Sequence, residues 1–447
     1  MLTASPSSNN QSSFFDLFDS LDLNDPLIAL SNALPWSDLE KGLAVYYSEE
    51  GRPAKPIRLM SGLLMLKQLF NLSDENVVSQ WKMNPYFQFF CGETSFQSSS
   101  PCHPTDLVKF RQRIGESGVK QIFAMSVKLH GEAAEDDTVF VDTTVQEKAI
   151  TYPTDTKLAI KIINRVNRLA KGFGVKQRRT FVKEVKQLRI DSRFFGHVKK
   201  RKKAKKALKR LRTIADILMR ELERKLPEET VARLANDFAM YRKVLAQQPK
   251  DKNKIYSLHE PQVYCVAKGK AHKKYEYGSK ASVVSTRDHV IVGVAAHDTF
   301  THDSETLQTA LDEAESMRGT PIKTAVVDKG YQGSKSKVKQ EVILPGKPLK
   351  RDNEKQRARK RTLCKKRSSI EPVIGHLKQD FRLCRNFLKG FIGDQLNLLM
   401  AACAWNLKKW INAFFVLVFI WLSAQKAASK LANFGLMYLT VTGLKKI

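Results

Sequence analysis

Three acidic residues stand where a carboxylate could do chemistry: Asp142 in TVFVDTTVQ, Asp328 in TAVVDKGYQG and Glu371 in RSSIEPVIGHLK. The first two each close a short β-branched run, which predicts a carboxylate at or just past a strand end. Glu371 falls in a segment that reads as helix, with Arg367 four residues before it and Lys378 seven after. Offsets of four and seven share nearly one helical face. Hard, small cations take oxygen ligands, so three such acids suit divalent metals acting on phosphates, with no His or Cys required. Asp142 would be the shared ligand, and Asp328 and Glu371 would each favour one metal. Two Mg2+ ions about 3.5–4 Å apart, or Mn2+ in their place, activate an attacking oxygen and stabilise a leaving one. Arg367 and Lys378 read as fixed positive charges that position a phosphate beside those metals.

Each acid also has a plainer reading when taken singly. Asp142 and Asp328 fit turn aspartates, and Glu371 fits a helix-start acid favoured by the dipole. Pro372 belongs in the first turn of a helix, which predicts a start near Ser368 or Ser369 with Arg367 just outside. His259, Glu260 and His302 are further candidates; His259 in SLHEP could contact DNA or serve structurally.

These residues sit in a chain of 447 with 76 Lys and Arg against 45 Asp and Glu, a formal net charge of +31. That excess favours a polyanionic partner, because each neutralised phosphate releases condensed counterions. Composition alone also fits a ribosomal-type or merely soluble basic protein; the acids favour an enzyme. The length predicts two or three domains. Six scattered cysteines without a CxxC pair predict buried thiols in a reducing cytosol rather than a disulfide framework or zinc site. MLTASPSSNNQSS lacks a charged start followed by an apolar core, so no signal peptide is expected. Trp410 to Leu422 is almost wholly apolar but falls short of the ~20 residues that span a bilayer, which predicts a buried or interface helix.

Several elements must hold the acids. Residues 1–20 are Ser/Asn-rich and predicted loose. Residues 21–135 read as helices: Leu59, Leu63, Leu66 and Leu69 form one stripe, Ser73 caps the next helix, and Thr105 or Asp106 caps a basic one. A helix–turn–helix with a basic face suits a DNA-end-binding module, and a plain helical scaffold is the alternative. Strand signals follow in VFV and KAITY, with Pro153 to Asp155 closing that hairpin. A lysine-rich helical stretch then occupies about 156–250, with Leu208, Leu211, Ile214, Leu218 and Leu222 at helical spacing; its dense charge favours phosphate contact. QVYCVAK, KASVVST, VIVGVAA and TAVVD restore strands, around a helix from His302 to Met317. The pattern is a mixed α/β sheet. Lys350 to Arg367 reads as a basic loop beside DNA.

The spacing Arg367–Glu371–Lys378, with VDTTVQEKAITYPTD, SLHEPQVYCVAKGKAHKKYEYGSK and GRPAKPIRLMSGLLMLKQLFNLSDENV, resembles the DDE transposases of bacterial insertion sequences, and among them family five. The resemblance spans roughly residues 50 to 410. It departs at Cys364, where the signature usually has a tyrosine, and it fades before 411–447, a divergent apolar tail. It implies an α/β, RNase H-like catalytic core over 136–410, with the first two acids on neighbouring strands. The helical basic insertion interrupts this core, and a helical N-terminal DNA-binding domain precedes it. It further implies metal-dependent cleavage and strand transfer on double-stranded DNA carrying terminal inverted repeats. A homodimer on DNA in the cytoplasm, associated with the nucleoid and with no membrane, is the expected setting. A catalytically inactive DNA-binding derivative and a structure-specific nuclease on the same fold are the alternatives.

Overall fold

A computed structural model describes residues 21–443 except 268–272, 300, 335–336 and 348–350, with side chains described as far as residue 416. The expected loose start, 1–20, lies outside the described residues. The chain is mixed α/β. Its helices in order are α1 (Pro26–Ala33), α2 (Trp36–Ala44), α3 (Ile57–Leu69), α4 (Asp74–Met83), α5 (Pro85–Phe90), α6 (Pro104–Lys128), α7 (Asp155–Gly172), α8 (Val182–Asp191), α9 (Arg201–Lys225), α10 (Glu228–Ala246), α11 (Asp303–Arg318), α12 (Glu354–Arg367), α13 (Ile370–Gln379) and α14 (Gly390–Gly443). The strands are β1 (Thr138–Glu147), β2 (Tyr264–Ala267), β3 (Tyr275–Thr286), β4 (Ile291–His297), β5 (Thr324–Val326) and β6 (Glu341–Ile343).

The sheet runs β2-β3-β1-β5-β6, and β4 pairs with β3 beyond the reach of β2. β1 is central: antiparallel to β3 on one side and parallel to β5 on the other. Its apolar run Val139, Phe140 and Val141 is wholly buried, as a strand covered on both faces requires. Val139 and Val141 join the main core with α6, α11 and α14. Phe140 faces the other way and packs with Val326, Ile343, Leu363 and Ile370, which fixes the α12–α13 corner against the sheet.

Leu59, Leu63, Leu66 and Leu69 are all buried in that same main core, so the amino-terminal helices pack continuously with the sheet. Ser73 caps α4 by accepting from Asn76 N at 3.0 Å. α14 crosses the outer edge of β4, where side-chain amides replace a neighbouring strand. Asn406 accepts from Ile291 N and donates to Ile291 O, and Gln395 accepts from Ala296 N. Such pairing satisfies backbone groups that burial would otherwise leave stranded. Helices α7 to α10 form a second core of their own, with Leu211, Ile214, Leu218 and Leu222 of α9 buried against α7 and α10.

Several local expectations need correction. Asp142 is not at a strand end: β1 runs on to Glu147 because β3 pairs with it residue by residue. KAITY forms no strand of its own; Lys148 makes a single bridge to Asn386 and the chain then leaves the sheet. His103, not Thr105 or Asp106, caps α6, with Asp106 completing a capping box. The basic stretch before Glu371 is helical over 354–367, nucleated by an Asn353–Gln356 capping box. Of the cysteines, Cys91, Cys102 and Cys403 are buried, whereas Cys384 is exposed; all six are free. The apolar tail continues α14 rather than starting a new element, and no helix among the described residues is long and apolar enough to cross a membrane.

Candidate active site

Asp142 projects from the middle of β1, where its register partner on β3 is Val283. Its Oδ1 accepts from Thr143 N at 2.8 Å. Burial pushes its pKa up to about 6, and the charges of Asp328 and Glu371 push the same way. The Thr143 amide and the Arg367 guanidinium act against them. Mutual repulsion of this kind marks carboxylates gathered at one place.

Asp328 stands two residues past β5, the parallel neighbour of β1. Its Oδ1 accepts from Gly330 N at 2.9 Å and caps the tight turn Lys329–Tyr331. The turn role and the site role thus coexist, since one carboxylate oxygen meets the turn and the other stays available. Glu371 is the second residue of α13 and its side chain is 66% exposed. The three acids reach one region because β5 lies beside β1 and because Phe140 and Ile370 hold α13 against the sheet.

Arg367 ends α12, so it lies one turn before α13 rather than in an open loop. Its Nη1 is 3.4 Å from Asp142 Oδ2 and its Nη2 is 3.5 Å from Glu371 Oε1. Lys378 does not join them. Its Nζ lies 3.2 Å from Glu276 Oε1 on β3. Cys364 packs against the apolar patch of Phe140, Val326, Ile343, Leu363 and Ile370, and burial raises its pKa. A tyrosine's polar role is therefore not reproduced there. Of the other candidates, His302 caps α11, Glu260 pairs with Lys148 at 3.4 Å, and His259 contacts Ser257.

Among the described residues no three His, Cys, Asp or Glu side chains are close enough to enclose a metal ion. The donors are nevertheless of the right kind, hard carboxylate oxygens with like-charge strain between them. Arg367 is the positive charge now seated between Asp142 and Glu371. Two neighbours escaped the sequence reading: Asp303, whose Oδ1 accepts from Thr143 Oγ1, and Tyr331, which is fully buried beside the acids. Nothing in the periodicity marks Asp303, while Tyr331 was visible only as part of DKGYQG.

Residues 15–113 match the family described as "Transposase domain (DUF772)", and residues 246–407 match "Transposase DDE domain". A curated relative from Rhizobium meliloti, "Uncharacterized protein ORF8 in nfe locus", is 36% identical over 205 residues. The match covers 44% of this chain and 99% of that protein. No solved structure matches.

Proposed function

Because the chain belongs to the DDE transposases of insertion elements, we propose that it binds the terminal inverted repeats of its element, cuts the 3′ ends and joins them to target DNA. The observation that supports this reading is the arrangement of the acids around Arg367, which lies 3.4 Å from Asp142 and 3.5 Å from Glu371, with Asp328 just past the strand beside β1. The Arg367–Glu371–Lys378 spacing supports placement in insertion sequence family five. The central β1, antiparallel to β3 and parallel to β5, supports an RNase H-like core over 136–410.

Asp142, Asp328 and Glu371 would hold Mg2+, or Mn2+ in its place. Such ions, when bound, raise the nucleophilicity of an attacking oxygen and offset charge on the leaving one. Arg367, already between two of the acids, would turn its guanidinium to a phosphate oxygen as the acids are neutralised. The basic half of α9 presents Lys202, Lys205 and Lys206 to solvent, and Lys199 is exposed just before it. It would follow a DNA backbone within the 156–250 insertion. The helices of 21–135 would read the repeat ends, and 411–447 has no assigned part. Two protomers acting on DNA in the cytoplasm, near the nucleoid, complete the proposal.

The test is incubation of the protein and Mg2+ with pre-cut and uncut repeat ends taken from the DNA flanking its gene, scored for nicking and joining. Nicking with joining supports the transposase; nicking without joining supports a nuclease; binding without either supports an inactive derivative.

A further inference from the structure

Asp303 opens α11 beside the acid site. Its Oδ1 accepts from Thr143 Oγ1 at 2.7 Å, and Thr143 directly follows Asp142 on β1. The same oxygen lies 2.5 Å from Lys280 Nζ, on a side chain only 9% exposed. Asp303 Oδ2 and Asp328 Oδ1 each come within 3.0 Å of the point where a Cβ on Gly330 would sit. Any other residue at 330 would press on both carboxylates, so glycine keeps the gap beside them open.

A second observation points to a ligand in that gap. Tyr331 is fully buried, yet its hydroxyl has no hydrogen-bond partner. Thr143, which lies against it, donates its own proton to Asp303, and its contact with the phenol falls short of hydrogen-bond geometry. Burial, and after it the charges of Asp303, Asp142 and Asp328, hold the phenol's pKa well above the usual value. Buried donors are normally satisfied, so this one implies a bound oxygen in the working state, from water or phosphate.

We propose that Asp303 is a fourth carboxylate of the acid site, sharing a divalent cation with Asp328, and that Lys280 competes with that cation for it. The inference rests on the metal-dependent reading above. One ammonium offsets one carboxylate, whereas a doubly charged ion with several oxygen ligands offsets two. Lys280 thus plays towards Asp303 the part that Arg367 plays between Asp142 and Glu371. The two basic side chains hold the acids together without metal, and each is displaced from its carboxylate when metal binds.

The experiment is Mn2+ binding by the full chain without DNA, followed through the paramagnetic resonance of the free ion. Asp303→Asn should weaken binding roughly tenfold or remove one site. Lys280→Met should tighten it, an opposite sign that general damage to the fold does not produce. Unchanged binding in Asp303→Asn, or weaker binding in Lys280→Met, overturns the assignment. If Asp303→Asn does not fold, the sign in Lys280→Met decides alone. Should the unaltered chain bind no Mn2+, the metal reading itself fails. Should Asp142→Asn weaken binding while Asp303→Asn does not, only Asp303 loses its place.

Discussion

The guanidinium of Arg367 meets the carboxylate of Asp142 at 3.4 Å across 225 residues of chain. That contact ties the α12–α13 corner to the central strand and places a fixed charge where the acids repel one another. Removing either partner would therefore change the site's electrostatics before it changed its shape.

Asp142 supplies a pH dependence with a definite sign. Its folded pKa, about 6, lies above its ordinary value of 3.8, chiefly through burial. The protonated form therefore stabilises the fold. That contribution is complete below the ordinary value and is lost as pH rises through about 6. Metal binding needs the ionised form, so Mn2+ affinity should fall as pH drops below about 6. Arg367→Gln removes a charge that lowers this pKa, so the midpoint should move upward. Mn2+ titrations on either side of pH 6 check both points, and an identical midpoint in the variant would remove Asp142 as the titrating group.

Asp142→Asn, Asp328→Asn and Glu371→Gln should each abolish strand cleavage and leave DNA-end binding largely intact, since a neutral amide keeps the shape but loses the charge. Their stabilities should differ. Asp142→Asn relieves a buried ionised group and should stabilise the metal-free protein at neutral pH by about 1–3 kcal/mol. Asp328→Asn retains a carbonyl oxygen for Gly330 N and should be near neutral. Glu371→Gln changes an exposed side chain and should be near neutral as well. Thermal melting beside a cleavage assay separates Asp142→Asn from the other two; near-normal cleavage in any one would take that residue out of the site.

The three acids could be picked out as candidates in the sequence because each carried local context: a β-branched run before Asp142 and Asp328, and helical spacing around Glu371. Local pattern did not bring them together, since that depends on β5 settling beside β1, a pairing between distant segments; only the family resemblance implied neighbouring strands for the first two. The same limit hid Asp303, at the start of α11, whose side chain is held by Thr143 and Lys280 from two strands. The basic stretch before Glu371 was misjudged because charge density suggests a solvated loop. A capping box and the apolar contact of Leu363 nevertheless make it a helix.

The basic helix α9 should dominate the salt dependence of duplex binding. Within its leading cluster Lys203 is paired with Asp191 at 2.9 Å, and Lys200 lies 4.5 Å over the Phe194 ring. Lys199, Arg201 and Lys202 are exposed. Replacing those three with Gln should reduce the slope of log affinity against log salt by up to about 2–3, as fewer counterions are released. Replacing Lys203 alone should change it less. An unchanged slope in the triple variant would show that this face serves protein contacts.

Lys378 has two possible duties that a double substitution separates. Its Nζ compensates Glu276, whose side chain is only 6% exposed, so Lys378→Ala leaves that buried charge with only the longer Lys273 contact at 4.0 Å and should lower stability. If Lys378 also holds a phosphate of the reacting strand, its loss should slow cleavage by roughly tenfold to a hundredfold, the worth of a charge-assisted contact of ~1.5–3 kcal/mol. Lys378→Arg should recover only part of that rate, because the guanidinium is broader and differently hydrated. Adding Glu276→Gln to Lys378→Ala removes the under-compensated charge and should restore melting temperature. It should not restore cleavage. His376, which bonds Asp380 at 2.7 Å and lies beside the Trp405 ring, is the control for damage to α13. The assay is cleavage of a pre-cut repeat end at several Mg2+ concentrations for all four variants. Full recovery of cleavage in the double variant would leave Lys378 as a structural tie to β3 and end its assignment to the phosphate.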